Sequence, residues 1–541
     1  MCKNIPKQNL ASNVFDTPTK AKFHEALLLH QQGKLLKAQA LYEDILKLQP
    51  RHFDSLHLLG VIACQTNNLP KGLELIGQAI ALNPENPVFY SNQGNTFQAL
   101  MQFESAIASY NQAITLNPDY AEAYNNRGSA FQKIKQFDNA IENYNRTISL
   151  KPDYADAYYN RGSALQELKR FAEAVRSYDR AIALNPDFTD AYYNRGNALK
   201  ELKLLEDAVK SYDQAIALNP DHAEAYLNKS LTFLLGGDYD NGWALYEWRW
   251  KQEKSPSIQK RNFTQPLWIG KESLIDKTIV LHSEQGFGDT IQFCRYSKSV
   301  AELGARVIME VEQPLVRLLQ DLPGVSDVLA KGSSIPPFDY HCPLLTLPLV
   351  FRTNIQSIPY AEKYLRSNTS KRSYWASKLG DIKKPLVGLV WSGSPMNKND
   401  NNRSIFLAEF IQNLPSYCQY ISLQKEVKDI DKKTLERNSS IRHFGDELND
   451  FADTAALCEL MDIVISVDTA IAHLSGALGK ETWVLLPFSP DWRWLLDRND
   501  SPWYRSVKLY RQPAIGDWDS VLSDVSDELA KINDSQTSLN K

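Results

Sequence analysis

AEAYNNRGSAFQKIKQFDNAIENYNRTISLKPDY (121–154) runs without a gap into ADAYYNRGSALQELKRFAEAVRSYDRAIALNPDF (155–188), and the two 34-residue segments agree at more than half of their positions. Reading outward, prolines recur at 50, 84, 118, 152, 186 and 220, so the period extends over six units spanning 19–222. A fixed period of this length marks a two-helix unit that buries its apolar face by stacking on its neighbours. Numbering each unit so that its proline is position 32, position 8 reads Ala26, Gly60, Gly94, Gly128, Gly162 and Gly196, and position 20 reads Ala38, Gly72, Ala106, Ala140, Ala174 and Ala208. Small residues there let the two helices of a hairpin approach closely. Position 24 is aromatic in most units (Tyr42, Tyr110, Tyr144, Tyr178, Tyr212), bulk expected to pack against the next hairpin, and the proline stops the second helix.

These positions resemble the tetratricopeptide (TPR) repeat, and the resemblance implies an α-solenoid, a TPR superhelix, that binds protein or peptide. A seventh unit from Ala223 keeps Tyr226 and Tyr246 but has Ser230, Gly242 and Arg249 at consensus positions, as a capping repeat would. Its Trp243, Trp248 and Trp250 either shield the last hairpin or, as so much apolar surface favours, dock it on the C-terminal half of the chain. Position 7, usually leucine, is Gln93, Arg127, Arg161, Arg195 and Lys229, whose stems can cover apolar surface while their heads reach water. Position 6 is Asn92, Asn126, Asn160, Asn194 and Asn228. An amide both donates and accepts, so such a series can pair with the backbone of an extended peptide. It resembles the asparagine ladder on the concave face of the TPR arm of protein O-GlcNAc transferases; equally, it can be a helix-surface position repeated by duplication.

The chain of 541 residues has a formal net charge of −4, which offers no basic excess for a nucleic acid partner. The first residues lack the apolar stretch of a signal peptide and no transmembrane segment is expected, so the location expected is cytoplasmic. Six scattered cysteines without a C-x-x-C pair argue against a disulfide framework or a cysteine zinc site.

From about Phe263 the period is lost. Strand-like runs at 278–282, 305–311, 385–391, 419–423, 462–467 and 482–486 alternate with helical stretches, which predicts parallel sheets with crossover helices, an α/β arrangement of two Rossmann-like lobes. The expected organisation is an N-terminal extension (1–18), the solenoid (19–256), a linker (257–276), an N-terminal lobe (277–380), a C-terminal lobe (381–530) and a disordered tail (531–541). Ligands of such lobes bind at the carboxyl ends of the strands. Two strand-to-helix corners stand out there. In EQGFGDTIQFCRY (284–296), Gly286 and Gly288 permit close approach of a ligand and Asp289 reaches the cleft floor, or simply caps the helix. In SVDTAIAHLSGALGK (466–480), Asp468 or Thr469 caps a helix whose first free N–H groups suit a diphosphate, with His473 one turn in; a cap with a packed histidine is the plainer alternative.

Together these motifs look like the heptosyltransferase-type (family 9) GT-B glycosyltransferases, and the fusion to a TPR arm is similar in architecture to the bacterial TPR-glycosyltransferases and the O-GlcNAc transferases. The resemblance implies an inverting, metal-independent transfer from a nucleotide-diphosphate sugar, which is a substrate, so that no cofactor is called for. It makes Asp289 the candidate base and assigns Gly286, Gly288, Asp468, Thr469, Ala470 and His473 to donor binding. Ala470 stands where heptosyltransferases usually have glycine. WSGSPMNKNDNNRS (391–404) matches a phosphate-reaching loop, with Arg403 in the place usually held by lysine, and Gln424, Lys425 and Glu426 follow a strand where this fold often holds the nucleotide. His341, in FDYHCPLLTLPL (338–349), is a substrate contact, a second candidate base or a satisfied loop histidine. Trp492, Arg493, Trp494, Trp503, Tyr504, Arg505, Arg511 and Trp518 can stack on a sugar or base and hold phosphate, or form an inter-lobe core. The Asp-x-Asp triplets at 238/240, 429/431 and 517/519 are expected to face solvent. Two alternatives remain open: a glycan or lipid-linked acceptor, and a non-catalytic TPR scaffold with a degenerate GT-B domain.

Overall fold

A computed structural model describes residues 17–252, 261–360, 362–382, 384–395 and 399–539, with side chains from 18 to 531. The extension before residue 17, Cys2, residues 257–260 of the expected linker and 396–398 of the loop 391–404 lie outside it. The chain divides into two compact units, Met1–Leu202 and Lys203–Lys541.

The first unit is built from the helix pairs Thr17–Gln31 with Leu35–Leu48, Phe53–Gln65 with Leu69–Leu82, Pro87–Ala99 with Phe103–Leu116, Ala121–Lys133 with Phe137–Leu150 and Ala155–Glu167 with Phe171–Leu184, followed by Thr189–Glu201. Each second helix stops two residues before its proline, and the residue between leaves the helical region, to extended backbone at Asn117 and Asn185, because a proline ring clashes with helical backbone before it. Position 15 turns each pair with positive φ, at Gly33, Asn67, Met101, Lys135 and Lys169. The position-24 ring rests on the position-8 glycine of its own hairpin: a Cβ on Gly128 would lie 2.8 Å from Tyr144 Cε1, and one on Gly94 2.6 Å from Tyr110 Cε1. The expectation that these rings serve mainly the next hairpin is thereby corrected. They fill the space the glycine leaves, and Tyr144 and Tyr178 also join one cluster with Ala164 and Ala198.

The second unit opens with Leu205–Leu218, the hairpin Ala223–Leu235 and Tyr239–Tyr246, and a 3-10 turn Glu247–Lys251. Two parallel sheets come next. The first has strands β1 (Thr278–His282), β2 (Arg306–Val311), β3 (Asp327–Ala330) and β4 (Tyr340–Pro343) in the order β3-β2-β1-β4. The second has β5 (Leu386–Val390), β6 (Gln419–Ser422), β7 (Ile441–His443), β8 (Ile463–Val467), β9 (Thr482–Leu486) and β10 (Val507–Arg511) in the order β10-β9-β8-β5-β6-β7. Counted within each sheet these are 3-2-1-4 and 6-5-4-1-2-3, the doubly wound arrangement, whose order reverses between β1 and β4 and between β5 and β8.

Three expected boundaries shift. Residues 266–268, assigned to a linker, run along the β4 edge: Trp268 N–H donates to His341 O at 2.8 Å and His341 N–H to Pro266 O at 3.2 Å. The helix Thr369–Leu379, assigned to the N-terminal lobe, packs on Phe451–Leu460 of the other sheet, with Lys371 paired to Asp453 and Trp375 against Phe444. The last helix, Trp518–Leu539, continues through the segment expected to be disordered, with no glycine or proline after Gly516 to end it.

The seventh hairpin docks on the sheets. Trp243 is buried edge-on against Trp492 (5.3 Å between centroids) and Phe293 (6.4 Å), and its Nε1 donates to Thr353 O at 2.9 Å. Arg249, which departs from the repeat pattern, is fully buried and forks onto Glu284 Oε1 through Nε and NH2 at 3.0 and 2.8 Å. Trp248 instead stacks on Tyr226 of its own hairpin at 3.7 Å, so of the three tryptophans Trp243 makes the dock.

Gly128→Ala should destabilise the chain by about 1–3 kcal/mol, because Tyr144 must yield. Gly77→Ala, inside the helix Leu69–Leu82 with no atom within 4 Å of the new methyl, should stabilise it by about 0.5–1 kcal/mol. Denaturant unfolding of both variants checks the opposite signs.

Candidate functional site

The two corners named from the sequence meet. The helix Phe287–Phe293, after β1, packs against Ala470–Ala477, after β8, so closely that a Cβ on Gly288 would lie 2.9 Å from His473 Cδ2 and 3.4 Å from Ala470 Cα. Glycine at 288 is therefore a requirement of lobe apposition. Asp289 Oδ2 accepts the Gly286 N–H at 2.9 Å, the local capping role open from the sequence, while Oδ1 is paired with Arg493 NH2. Burial raises the Asp289 carboxyl above its usual range, against the opposing pull of Arg493. Arg493, nearly buried, also donates through Nε to Gln292 Oε1 (2.6 Å) and through NH1 to Asp491 Oδ1 (2.9 Å).

On the other side of the contact, β5 and β8 end at the sheet's reversal point. Thr469 caps Ala470–Ala477, its Oγ1 accepting the Ile471 N–H at 3.3 Å. Arg403 NH1 donates to Asp468 O at 2.6 Å, which lays the guanidinium across the carboxyl ends of both strands. Its Nε is buried, 3.6 Å from Asp400 Oδ1, and has no hydrogen-bond partner among the described residues. Burial and the neighbouring Asp491 carboxylate raise Asp468 to about 6, against Arg403. His473 is buried, its Nδ1 3.0 Å from Tyr504 OH and its ring stacked on Trp494 at 5.3 Å. Burial first, then Arg493, Arg295 and Arg403, hold it well below the ordinary histidine range, so it stays neutral. It has the surroundings of a packed histidine.

Other candidates fall elsewhere. Gln424 is buried and pins strand ends together, its Oε1 accepting from Trp391 N (2.8 Å) and Ser392 N (3.0 Å). Lys425 and Glu426 are exposed, and Lys425 Nζ reaches Asn449 O at 3.3 Å. His341 lies in β4, its Nδ1 3.2 Å from His282 Nε2 and its ring on Phe263, as a satisfied histidine. Trp492, Trp494, Trp503 and Tyr504 are buried in one cluster shared by both sheets and the seventh hairpin, which makes them core. Arg511 donates to the backbone carbonyls of Trp494, Leu495 and Arg498, and Arg505 pairs with Glu362 at the surface. Asp431 corrects the reading of the Asp-x-Asp triplets: it is buried and accepts from Trp391 Nε1 and Leu407 N–H, both at 3.0 Å.

The asparagine series spends its donors within the solenoid. Asn92 Nδ2 lies 2.8 Å from His57 Nε2, Asn126 Nδ2 donates to Asn95 (3.0 Å), Asn160 to Asn125 (3.2 Å) and Asn194 to Tyr159 OH (3.0 Å), each time on the preceding first helix. The position-7 side chains make a second ladder to second helices: Arg127 reaches Asn143 and Asn111 (both 2.7 Å), and Arg195 reaches Asp179 at 2.6 Å. That recurrence of polar pairs at a 34-residue offset was readable in the sequence, but their direction was not. Arg249 and Arg493 stood out in the sequence, but their carboxylate partners Glu284 and Asp289 did not follow from it.

The comparisons with known proteins concern the repeats. Tetratricopeptide-repeat family models match residues 23–87, 102–135, 133–169, 155–188 and 189–222, so the chain carries TPR repeats, which indicate a protein-interaction role. Protein FlbA of Caulobacter vibrioides is 25% identical over 327 residues, 55% of this chain and 54% of FlbA; the chain thus spans about half the length of that relative. Among solved structures, MamA is 26% identical, covering 31% of this chain and 97% of its own at a TM-score of 0.29. YrrB, a TPR protein with an unusual peptide-binding site, is 20% identical, covering 34% and 95% at 0.30. No helix among the described residues is long and apolar enough to cross a membrane.

Asp468 binds a proton more readily folded than unfolded, so its ionisation costs stability as pH rises from about 4 to about 6. In denaturant titrations from pH 4 to 7, Asp468→Asn should gain stability relative to the parent chain across that window; a constant difference would contradict the assignment.

Proposed function

We propose that the second unit is a GT-B glycosyltransferase, and that the chain transfers a sugar, with inversion, from a nucleotide-diphosphate sugar to a protein or peptide presented by its TPR repeats. The observation that carries this reading is the meeting of the Asp289 turn, paired with Arg493, and the amino end of Ala470–Ala477, beside which Arg403 bonds Asp468 O, where the carboxyl ends of two doubly wound sheets face one another. Asp289 takes the proton of an acceptor hydroxyl while that oxygen bonds to the anomeric carbon. The bond from that carbon to the diphosphate oxygen breaks on the opposite face, and the nucleoside diphosphate leaves with the electron pair. Arg403 and the positive end of the Ala470–Ala477 helix dipole meet the charge that develops there. The repeats suit a protein acceptor, which would meet the donor and acceptor capacity that the asparagine amides keep beside the bonds they already make. A glycan or lipid-linked acceptor would use the same chemistry.

The Asp289–Arg493 ion pair supports a second reading, a scaffold that binds a nucleotide sugar without turnover, because both oxygens of the candidate base are engaged. Incubating the full chain and a lysate with labelled nucleotide sugars separates the two. Protein-bound label that Asp289→Asn lowers by about 100-fold or more, with donor still bound, is the expected result. Label only in the polysaccharide or organic fraction would transfer the acceptor role to a glycan or lipid, and bound donor without any product would leave the scaffold. Asn160→Ala with Asn194→Ala should weaken acceptor labelling and spare donor binding; unchanged labelling would make the series purely structural.

A further inference from the structure

Resting on the transferase reading, we propose that Arg493 is a ligand of the donor diphosphate, and that its passage from Asp289 to the phosphates frees the base only when donor is bound. Asp289 has neither oxygen free: one accepts from Gly286 and the other from Arg493. The Gly286 bond lies within one turn of backbone and stays. The arginine partner is a side chain, stacked 4.4 Å from the Trp492 ring centre and held by Gln292 through Nε and by Asp491 through NH1, so that NH2 alone has to pass from Asp289 to a phosphate. Three carboxylates, Asp289, Asp491 and Asp468, crowd Arg493 and Arg403, so the guanidinium groups are shared among anions of single charge. A diphosphate carries more charge than a carboxylate and matches the planar fork of arginine. It therefore competes for Arg493, and Arg403, whose Nε faces Asp400 Oδ1 at 3.6 Å with no hydrogen bond among the described residues, offers a second donor across the same reversal point. A ligand that draws the arginine away shifts the pair only through this difference in affinity between the two states.

Calorimetric titration of the full chain with inorganic pyrophosphate and with UDP, GDP, ADP and CDP tests the exchange. Asp289→Asn removes the competing charge and should tighten binding by about threefold to tenfold, while Arg493→Lys should weaken it by about tenfold. Unchanged or weaker binding by Asp289→Asn overturns the exchange and leaves the donor reading standing. Absence of binding by the parent chain overturns both. Thermal unfolding accompanies each variant; should Arg493→Lys fail to fold, the Asp289→Asn result decides alone.

Discussion

The candidate site depends on one steric constraint, the absence of a side chain at Gly288. There the first turn after β1 meets the first turn after β8, and a methyl group would strike the His473 ring. Everything polar in the site is arranged around that contact: Asp289 one residue beyond it, Asp468 and Thr469 on the facing turn, and Arg403 and Arg493 on either side. Close packing leaves little room to adjust, since a core responds to even one added carbon. The neutrality of His473 belongs to the same constraint, because a charged ring buried beside three arginines would push the lobes apart.

The second constraint is the dock of the seventh hairpin. Trp243 enters the aromatic cluster that both sheets share, and the Arg249 guanidinium forks onto one oxygen of Glu284, whose carboxyl burial pushes up to about 7. Removing Arg249 would leave the Glu284 carboxyl buried without its counter-charge, whereas Arg249 without Glu284 would still have Glu247. Glu284 opens the segment that carries Gly286, Gly288 and Asp289. The hairpin thus reaches the backbone of the candidate site directly, through residues that the repeat pattern treats as defects.

Six of the ten strands were legible as apolar runs, and these are the interior strands of both sheets, whose burial on two faces demands continuous apolar sequence. The four that were not, β3, β4, β7 and β10, are the edges. They are short and carry polar residues such as Asp327, His341, Arg442 and Lys508, as exposed edges do. The solenoid was legible because its period is steric: small residues at positions 8 and 20, and a ring that fits over them. What escaped was direction and partnership. Nothing in the spacing of Asn126 or Arg127 says which hairpin each bonds, and nothing in the string around Trp492 says that its tryptophans turn inward while Arg493 turns toward Asp289. The first choice is made by packing between neighbouring helices of the solenoid, the second by packing between segments about 200 residues apart.

The central claim, that this site handles a nucleotide-diphosphate sugar, is tested most directly by thermal unfolding of the full chain against a panel of nucleotide sugars. A ligand that binds only the folded chain raises its melting temperature by mass action, by an amount set by its concentration relative to its Kd. A clear rise is expected with the sugars of one nucleobase, abolished when Arg403 is replaced by alanine. No rise with any of them at millimolar concentration would contradict it.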